Sequence, residues 1–222
     1  MPEFPIEVLL QEEQFLVVNK PAGVSVVFDR HRPQQESLWR QLSRSFGQVL
    51  VVHRLDRATT GVVLLARTPF AQKELAQQFS LHRVGKWYHA VVCGQPPWEV
   101  QTVEAPLREN AGRGGRTVVD WDRGKWARTE LRLLHRLSRD HALVEASPVT
   151  GRRHQVRAHL AAVGFPILGD ALYGGNKSFP RPLLHARHMR FRHPGSGQWV
   201  TVEAPYPEDM VSFLARSLAR VI

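Results

Sequence analysis

Between Val49 and Ala66 two apolar runs flank an eight-residue connection, His53-Arg54-Leu55-Asp56-Arg57-Ala58-Thr59-Thr60. Short runs rich in β-branched residues and bounded by breakers predict strands. The same punctuation recurs along the chain. It predicts strands at Ile6–Leu10, Phe15–Asn19, Val24–Phe28, Val49–His53, Val62–Ala66, Trp87–Cys93, Thr117–Trp121, Thr129–Leu137, Ala142–Ala146 and Trp199–Glu203. Helical signals are fewer. Ser37 caps Leu38–Phe46 and Gly47 stops it, and Thr68 caps a helix that takes Pro69 at its first position and runs to Ser80. Two more helices are predicted at His154–Val163, ended by Gly164, and at Glu208–Arg220. Many strands, four scattered helices and no steady βαβ alternation predict an α+β fold with a mixed, largely antiparallel sheet and flanking helices and loops.

The connection also carries a charge pattern. Between Glu36 and Glu74, Asp56 is the only acid, among Arg40, Arg44, Arg54, Arg57, Arg67 and Lys73. Arginines two residues before and one after a carboxylate bias it toward its ionised form. A loop held by rigid strands suits a catalytic group, and a surface ion pair at a turn fits the same residues. Over the whole chain 30 Lys+Arg stand against 20 Asp+Glu, a formal charge of +10, and only five of the basic residues are Lys. Arginine forks match phosphate bidentately and stack on bases, so an arginine-dominated excess points to nucleic acid. The signs are also segregated. Residues 1–29 balance to −4, residues 108–139 to +5 and residues 152–193 to +7.

Other classes are excluded by what is missing. A lone Cys93 allows neither an internal disulfide nor a cysteine-based zinc finger, and its Val-Val-Cys-Gly setting predicts core packing. The start, MPEFPIEVLLQEEQ, is acidic and lacks a secretory pattern. No apolar stretch approaches the roughly 20 residues of a membrane helix. A soluble, cytoplasmic chain is expected. His185 with His188, and His154 with His159, lack the spacing of an HExxH helix, so no metal is expected.

The connection itself, HRLDRATTGVVLLAR, resembles the HRLD-x-x-T-S-G signature of the RluA-type pseudouridine synthases, with Thr60 in place of the usual Ser. Further matches follow in the family's order. Asn19–Gly23 is similar to NKPxG, Lys86–Gly94 to K-x-Y-x-A-x-V-x-G, and Gly124–Thr129 to GK-x-A-x-T. Thr150–Leu160 resembles TGR-x-HQIR-x-HL, and Gly169–Tyr173 resembles GD-x-x-Y. Leu184-His185-Ala186, Phe191–Pro194 and Ala204–Pro207 match the closing LHA, FxHP and APxP pattern. Where the family often has a Val-His pair after the first motif, this chain reads Val24-Ser25-Val26-Val27-Phe28.

The resemblance implies a pseudouridine synthase fold, with residues 1–222 a single catalytic domain and no separate S4 RNA-binding domain. It implies isomerisation of a uridine in tRNA or rRNA without cofactor: the C1′–N1 bond is cut and the base is rejoined through C5. The resemblance makes Asp56 the catalytic aspartate. A carboxylate beside the sugar can form an adduct, stabilise charge at C1′ or move a proton. The target must leave its stack, and the resemblance gives Arg54 the vacated space, although Arg54 could also pair with Asp56 at rest. Tyr88 would stack on the flipped base or assist at C5, and Arg152 would pair with the aspartate. Arg57 and Lys20 are assigned to RNA, Lys20 as a lining residue. Arg153 and Arg157, four apart, are expected to share a helix face toward phosphate. Arg113 and Arg116 sit in a loop, Gly112–Arg116, that is either a flexible turn or an arm on RNA. The expected partner is a structured RNA stem-loop, with no membrane and no obligate protein partner. A competing reading is an RNA-binding protein on the same fold without catalysis. A glycosidase is a third, but it calls for a second carboxylate.

Overall fold

A computed structural model of the chain describes residues 6–29, 33–176 and 178–218. In chain order the elements are β1 (Glu7–Gln11), β2 (Phe15–Lys20), α1 (Leu38–Phe46), β3 (Leu50–Val51), β4 (Thr60–Ala66), α2 (Pro69–Ser80) and β5 (Gly85–Cys93). They continue with β6 (Val100–Glu104), β7 (Leu107–Arg108), β8 (Val118–Val119), β9 (Arg128–Arg136) and β10 (His141–Pro148). α3 (Gln155–Ala162), β11 (Leu184–Arg192), β12 (Trp199–Glu203) and α4 (Glu208–Leu218) complete the chain. The fold is α+β with a mixed, mostly antiparallel sheet, as the strand-rich pattern predicts. Lys177, counted in the second basic stretch, and the end of the predicted closing helix, Ala219 and Arg220, lie outside the described residues. Among those described, no helix is long and apolar enough to cross a membrane.

Two compact units divide the chain. The first comprises Met1–Gly85 with Ala186–Pro207, and the second Lys86–His185 with Glu208–Ile222. In the first, the strands run in the order β1-β2-β4-β11, with β3 also paired to β4 and β12 to β11. β2 and β4 are antiparallel, with Phe15 opposite Ala66 and Lys20 opposite Gly61. Every residue of β4 is buried, and Phe15, Leu16, Val17 and Val18 of β2 have no exposed surface. Such unbroken apolar runs are what strands covered on both faces require. Phe15, Val62, Leu64, Leu75, Met189 and Phe191 form one core, to which α2 contributes through Ala71 and Leu75. Each side chain buried this fully contributes about 1.5–3 kcal/mol. Both predicted caps form: Ser37 Oγ accepts from the Arg40 amide and Thr68 Oγ1 from that of Ala71.

The second unit orders its sheet β5-β10-β9-β6, all antiparallel, with β7 and β8 as a separate two-stranded hairpin. Ala90, Val92, Leu131, Val144, Val156, Leu160 and Ile167 make its core, and α3 supplies two of them.

Several predicted elements are corrected. Val24–Phe28 is not a strand: the carbonyls of Ser25 and Val26 instead accept from the Leu38 and Trp39 amides at the start of α1. Val24 and Val26 are nevertheless buried, so their apolar character reports burial rather than extension. The predicted runs Val49–His53 and Thr117–Trp121 shrink to two-residue strands, while β6, β7 and the nine-residue β11 were not predicted.

Gly61, inside the HRLD-like signature, has φ of 109°, and a Cβ built there would stand 2.2 Å from the Ala186 carbonyl oxygen. The first residues of β4 can lie against β11 only if this position has no side chain. Gly61→Ala is expected to destabilise the protein by at least about 2 kcal/mol, from combined backbone strain and overpacking. Urea denaturation of the variant with an unchanged midpoint would contradict this close approach.

Candidate functional site

In the first unit the Asp56 connection is held by its backbone. The Arg57 carbonyl accepts from the Gly23 amide at 2.9 Å and from Lys20 Nζ at 3.1 Å. Lys20 has no exposed surface, and its ammonium also donates to the carbonyls of Pro21 (2.8 Å) and Val24 (2.9 Å). A buried ammonium must satisfy its donors internally, so Lys20 ties the Asn19–Gly23 motif to the residue after Asp56. The Thr59 amide donates to the Asp56 carbonyl at 3.0 Å, closing a turn. His53 Nε2 accepts from the Leu64 amide at 2.9 Å while the ring stacks on Phe79, centroids 4.6 Å apart. Leu55 is buried and Arg54 exposed, with Asp56 and Arg57 between these extremes. The polar connection is thus immobilised under Asp56 and leaves Arg54 outside.

This placement alters one sequence expectation. Lys20, assigned to RNA, is enclosed, and its donors are engaged with carbonyls.

The second unit presents Tyr88 and Arg152 on separate supports. Tyr88 lies on β5, half-buried against the unit's core and opposite Ala146 of β10. Arg152 lies in the turn between β10 and α3, where Gln155 is the organising side chain. Its Oε1 accepts from Thr150 Oγ1 (2.6 Å) and the Arg152 amide (3.0 Å), and its Nε2 donates to the Arg128 carbonyl (2.9 Å) and Thr129 Oγ1 (3.0 Å). Four bonds from one buried amide leave the turn little freedom. Lys86, two residues before Tyr88, donates from Nζ to the Thr150 carbonyl at 3.0 Å. Burial lowers the Lys86 pKa to about 8. Arg152 Nε reaches the Trp126 carbonyl at 3.2 Å. His159, fully buried, meets Thr129 Oγ1 at 2.8 Å and the Ala105 carbonyl at 3.0 Å, and burial depresses its pKa.

The spacing of Arg153 and Arg157 misleads. α3 begins at Gln155, and His154 ahead of it has φ of 53°, which swings Arg153 off the helix. Arg157 is buried and forks onto Asp170, Nε to Oδ2 at 2.7 Å and Nη2 to Oδ1 at 2.9 Å, with its guanidinium 5.0 Å from the Tyr173 ring centroid. A phosphate cannot compete for that fork. Arg153 binds Asn110 Oδ1 and the Gly115 carbonyl (2.8 Å), and its amide donates to Glu109, so it holds the Gly112–Arg116 loop. Within that loop Arg113 and Arg116 are exposed.

Two residues escaped the sequence reading. Trp121 and Trp126, 74% and 52% exposed, flank exposed Arg123 and Lys125 beyond the β7–β8 hairpin. Indoles so placed among cations form stacking platforms for bases. Tryptophans spaced five apart, around an Asp-Arg-Gly-Lys turn, were the available signal. Among the described residues no group of three His, Cys, Asp or Glu is placed to hold a metal.

These features can be compared with known proteins. Residues 14–162 match the family model described as RNA pseudouridylate synthase. The chain is 37% identical over 208 residues, 92% of its own length and 95% of the relative's, to a protein of Escherichia coli O6:H1 named dual-specificity RNA pseudouridine synthase RluA. It is 36% identical to a Zymomonas mobilis protein named ribosomal large subunit pseudouridine synthase D, over 94% of this chain and 71% of that one. Among solved structures, human RNA pseudouridylate synthase domain containing 1 superposes with a TM-score of 0.79 at 26% identity, covering 96% of this chain and 90% of that one.

Lys86 supplies a test of the second unit's geometry. Its ε-carbon resonance is expected to titrate near pH 8, with Lys86→Arg giving the assignment. The unfolded chain holds this proton up to about 10.5 and the folded one gives it up near 8, so the linked stability rises between those values. A Lys86 resonance that titrates near its ordinary value of about 10.5 would refute the burial of Lys86.

Proposed function

The chain belongs to the RluA-type RNA pseudouridine synthases, and from that membership we propose that it isomerises specific uridines in a tRNA or rRNA stem-loop through Asp56. The isomerisation breaks the C1′–N1 bond, turns the base and forms a C1′–C5 bond, and the proton lost from C5 balances the one gained at N1. It needs no redox equivalent. The single observation that carries the reading is the Asp56 connection itself. Lys20, Gly23 and Thr59 fix its backbone, and one carboxylate stands on it beside exposed Arg54. A fixed carboxylate serves the C1′ centre without reorganising during the reaction.

In this reading the target nucleotide is flipped out, since C1′ and C5 are not accessible within a stacked helix. Arg54 fills the vacated space, Tyr88 stacks on the flipped base, and Arg152 orients the carboxylate. Exposed Arg54, Arg113 and Arg116, with Arg57, are the groups offered to phosphate. Lys20, Arg153 and Arg157 support the backbone and side chains around them. Trp121 and Trp126 add stacking surface on the second unit. The relatives' names, one a dual-specificity RNA enzyme and one a ribosomal large subunit enzyme, favour cellular RNA as substrate. The reading takes both units as one catalytic domain.

Asp56→Asn is expected to lower tritium release from 5-tritiated uridine RNA by about a thousandfold or more, equivalent to over about 4 kcal/mol of barrier. RNA binding should stay within a few-fold of wild type, because the substitution removes one negative charge and no cation. Turnover retained in this variant would overturn the assignment. Pseudouridine mapping of RNA from cells lacking the gene then identifies the modified position by its loss.

A further inference from the structure

The outer end of the β11–β12 hairpin, in the first unit, carries two cations that the proposed chemistry does not use. Arg190 and Arg192 both lie exposed on β11. Their guanidinium carbons stand 4.3 and 4.2 Å from the ring centroid of Trp199 on β12. The register accounts for this: Arg192 faces Trp199 directly, and Arg190 faces Thr201, one diagonal step away. Trp199 remains 45% exposed. Among the described residues no carboxylate pairs with Arg190 or Arg192, whereas Arg187 on the same strand is engaged by Glu203 and lies over the Tyr206 ring.

A guanidinium resting on an indole is oriented by its flat face, which leaves its N–H edges free to donate in plane. Further contacts stiffen this end. Arg192 Nη1 donates to the Gly197 carbonyl at 2.9 Å, and the Gln78 side chain from α2 bonds both the amide and the carbonyl of Arg192. Much of the ordering entropy that a phosphate contact would demand is therefore already lost in the free protein.

The position of the pair within the first unit decides what it can touch. β11 leaves Ala186, whose carbonyl abuts Gly61 at the close of the Asp56 connection, and runs outward toward Arg192. Four to six residues of strand place the two arginines about 13–20 Å from that point. Phe191 packs on Phe15, centroids 5.3 Å apart, and Phe15 pairs with Ala66 at the opposite end of β4 from Gly61. A nucleotide at Asp56 is out of reach, but the next stretch of the same RNA is not.

We propose that Arg190, Trp199 and Arg192 form a second RNA contact that grips the sugar-phosphate backbone of the helical flank of the substrate. The proposal rests on the reading of the chain as an enzyme of structured RNA. It predicts that affinity depends on substrate length beyond the loop that holds the target uridine.

The test compares an unmodified full-length tRNA transcript with a short stem-loop carrying only its loop uridines. For Arg190→Gln/Arg192→Gln, binding of the full-length transcript is expected to weaken about tenfold or more beyond any loss on the short stem-loop. The slope of log K against log salt should become shallower by about 1.4–1.8, at 0.7–0.9 per phosphate. Arg190→Lys/Arg192→Lys should keep most of the slope while losing affinity, because lysine retains charge without the planar stack. Equal affinity and slope for wild type and the Gln variant on the full-length transcript would overturn the proposal. So would an equal loss on both RNAs accompanied by a lowered melting temperature, which would mark the trio as a fastener of the hairpin. Wild-type protein that neither binds these RNAs nor forms pseudouridine in total RNA would instead overturn the functional reading.

Discussion

An ammonium with no exposed surface must find every hydrogen-bond acceptor inside the protein, and Lys20 finds three backbone carbonyls there. One belongs to Pro21 of its own motif, one to Val24 just after the motif, and the third to Arg57, the residue after Asp56. That one side chain therefore joins the end of β2 to the connection that precedes β4. The Gly23 amide shares the same Arg57 carbonyl, and Gly61 lets β4 come close to β11 just after the connection ends. Removing the Lys20 donors would take this partner from the Pro21 and Val24 carbonyls, at about 1–3 kcal/mol for each buried acceptor left unpaired, while the Arg57 carbonyl would keep the Gly23 amide.

The second unit solves the equivalent problem with an amide. Gln155 satisfies two backbone groups and two hydroxyls around the turn that bears Arg152, and Lys86 adds a bond from the strand that bears Tyr88. The arginine fork of Arg157 on Asp170 lies beneath α3 and anchors the Tyr173 region, whose hydroxyl accepts from the Thr117 amide. In both units the residues that the proposed function assigns to the substrate stand on backbone fixed by buried polar side chains.

The strand-rich fold and its helices were legible because burial on both faces of β2, β4 and β10 demands continuous apolar runs, and caps such as Ser37 and Thr68 are local. Val24–Phe28 misled because burial and extension leave the same apolar signature, and only the contact with the first turn of α1 separates them. The order of motifs from Asn19 to Pro207 made the family legible, and the family comparisons agree with it. Arg153 and Arg157 misled for a different reason. Their spacing presumes one continuous helix, and a left-handed His154 ends that presumption.

Sequence alone determined the chemistry available to this protein: a solitary carboxylate among arginines, a tyrosine in its motif, and a cationic excess suited to RNA. Those properties reside in covalent identity and in short-range order, which survive without any fold. Only the tertiary structure decided which cations are free to meet a phosphate. Lys20 is consumed by Pro21, Val24 and Arg57, Arg157 by Asp170, and Arg153 by Asn110 and Gly115, while Arg54, Arg113, Arg116, Arg190 and Arg192 stay exposed. Availability is set by burial and by partners up to tens of residues away in the chain, and local sequence carries no record of those distances.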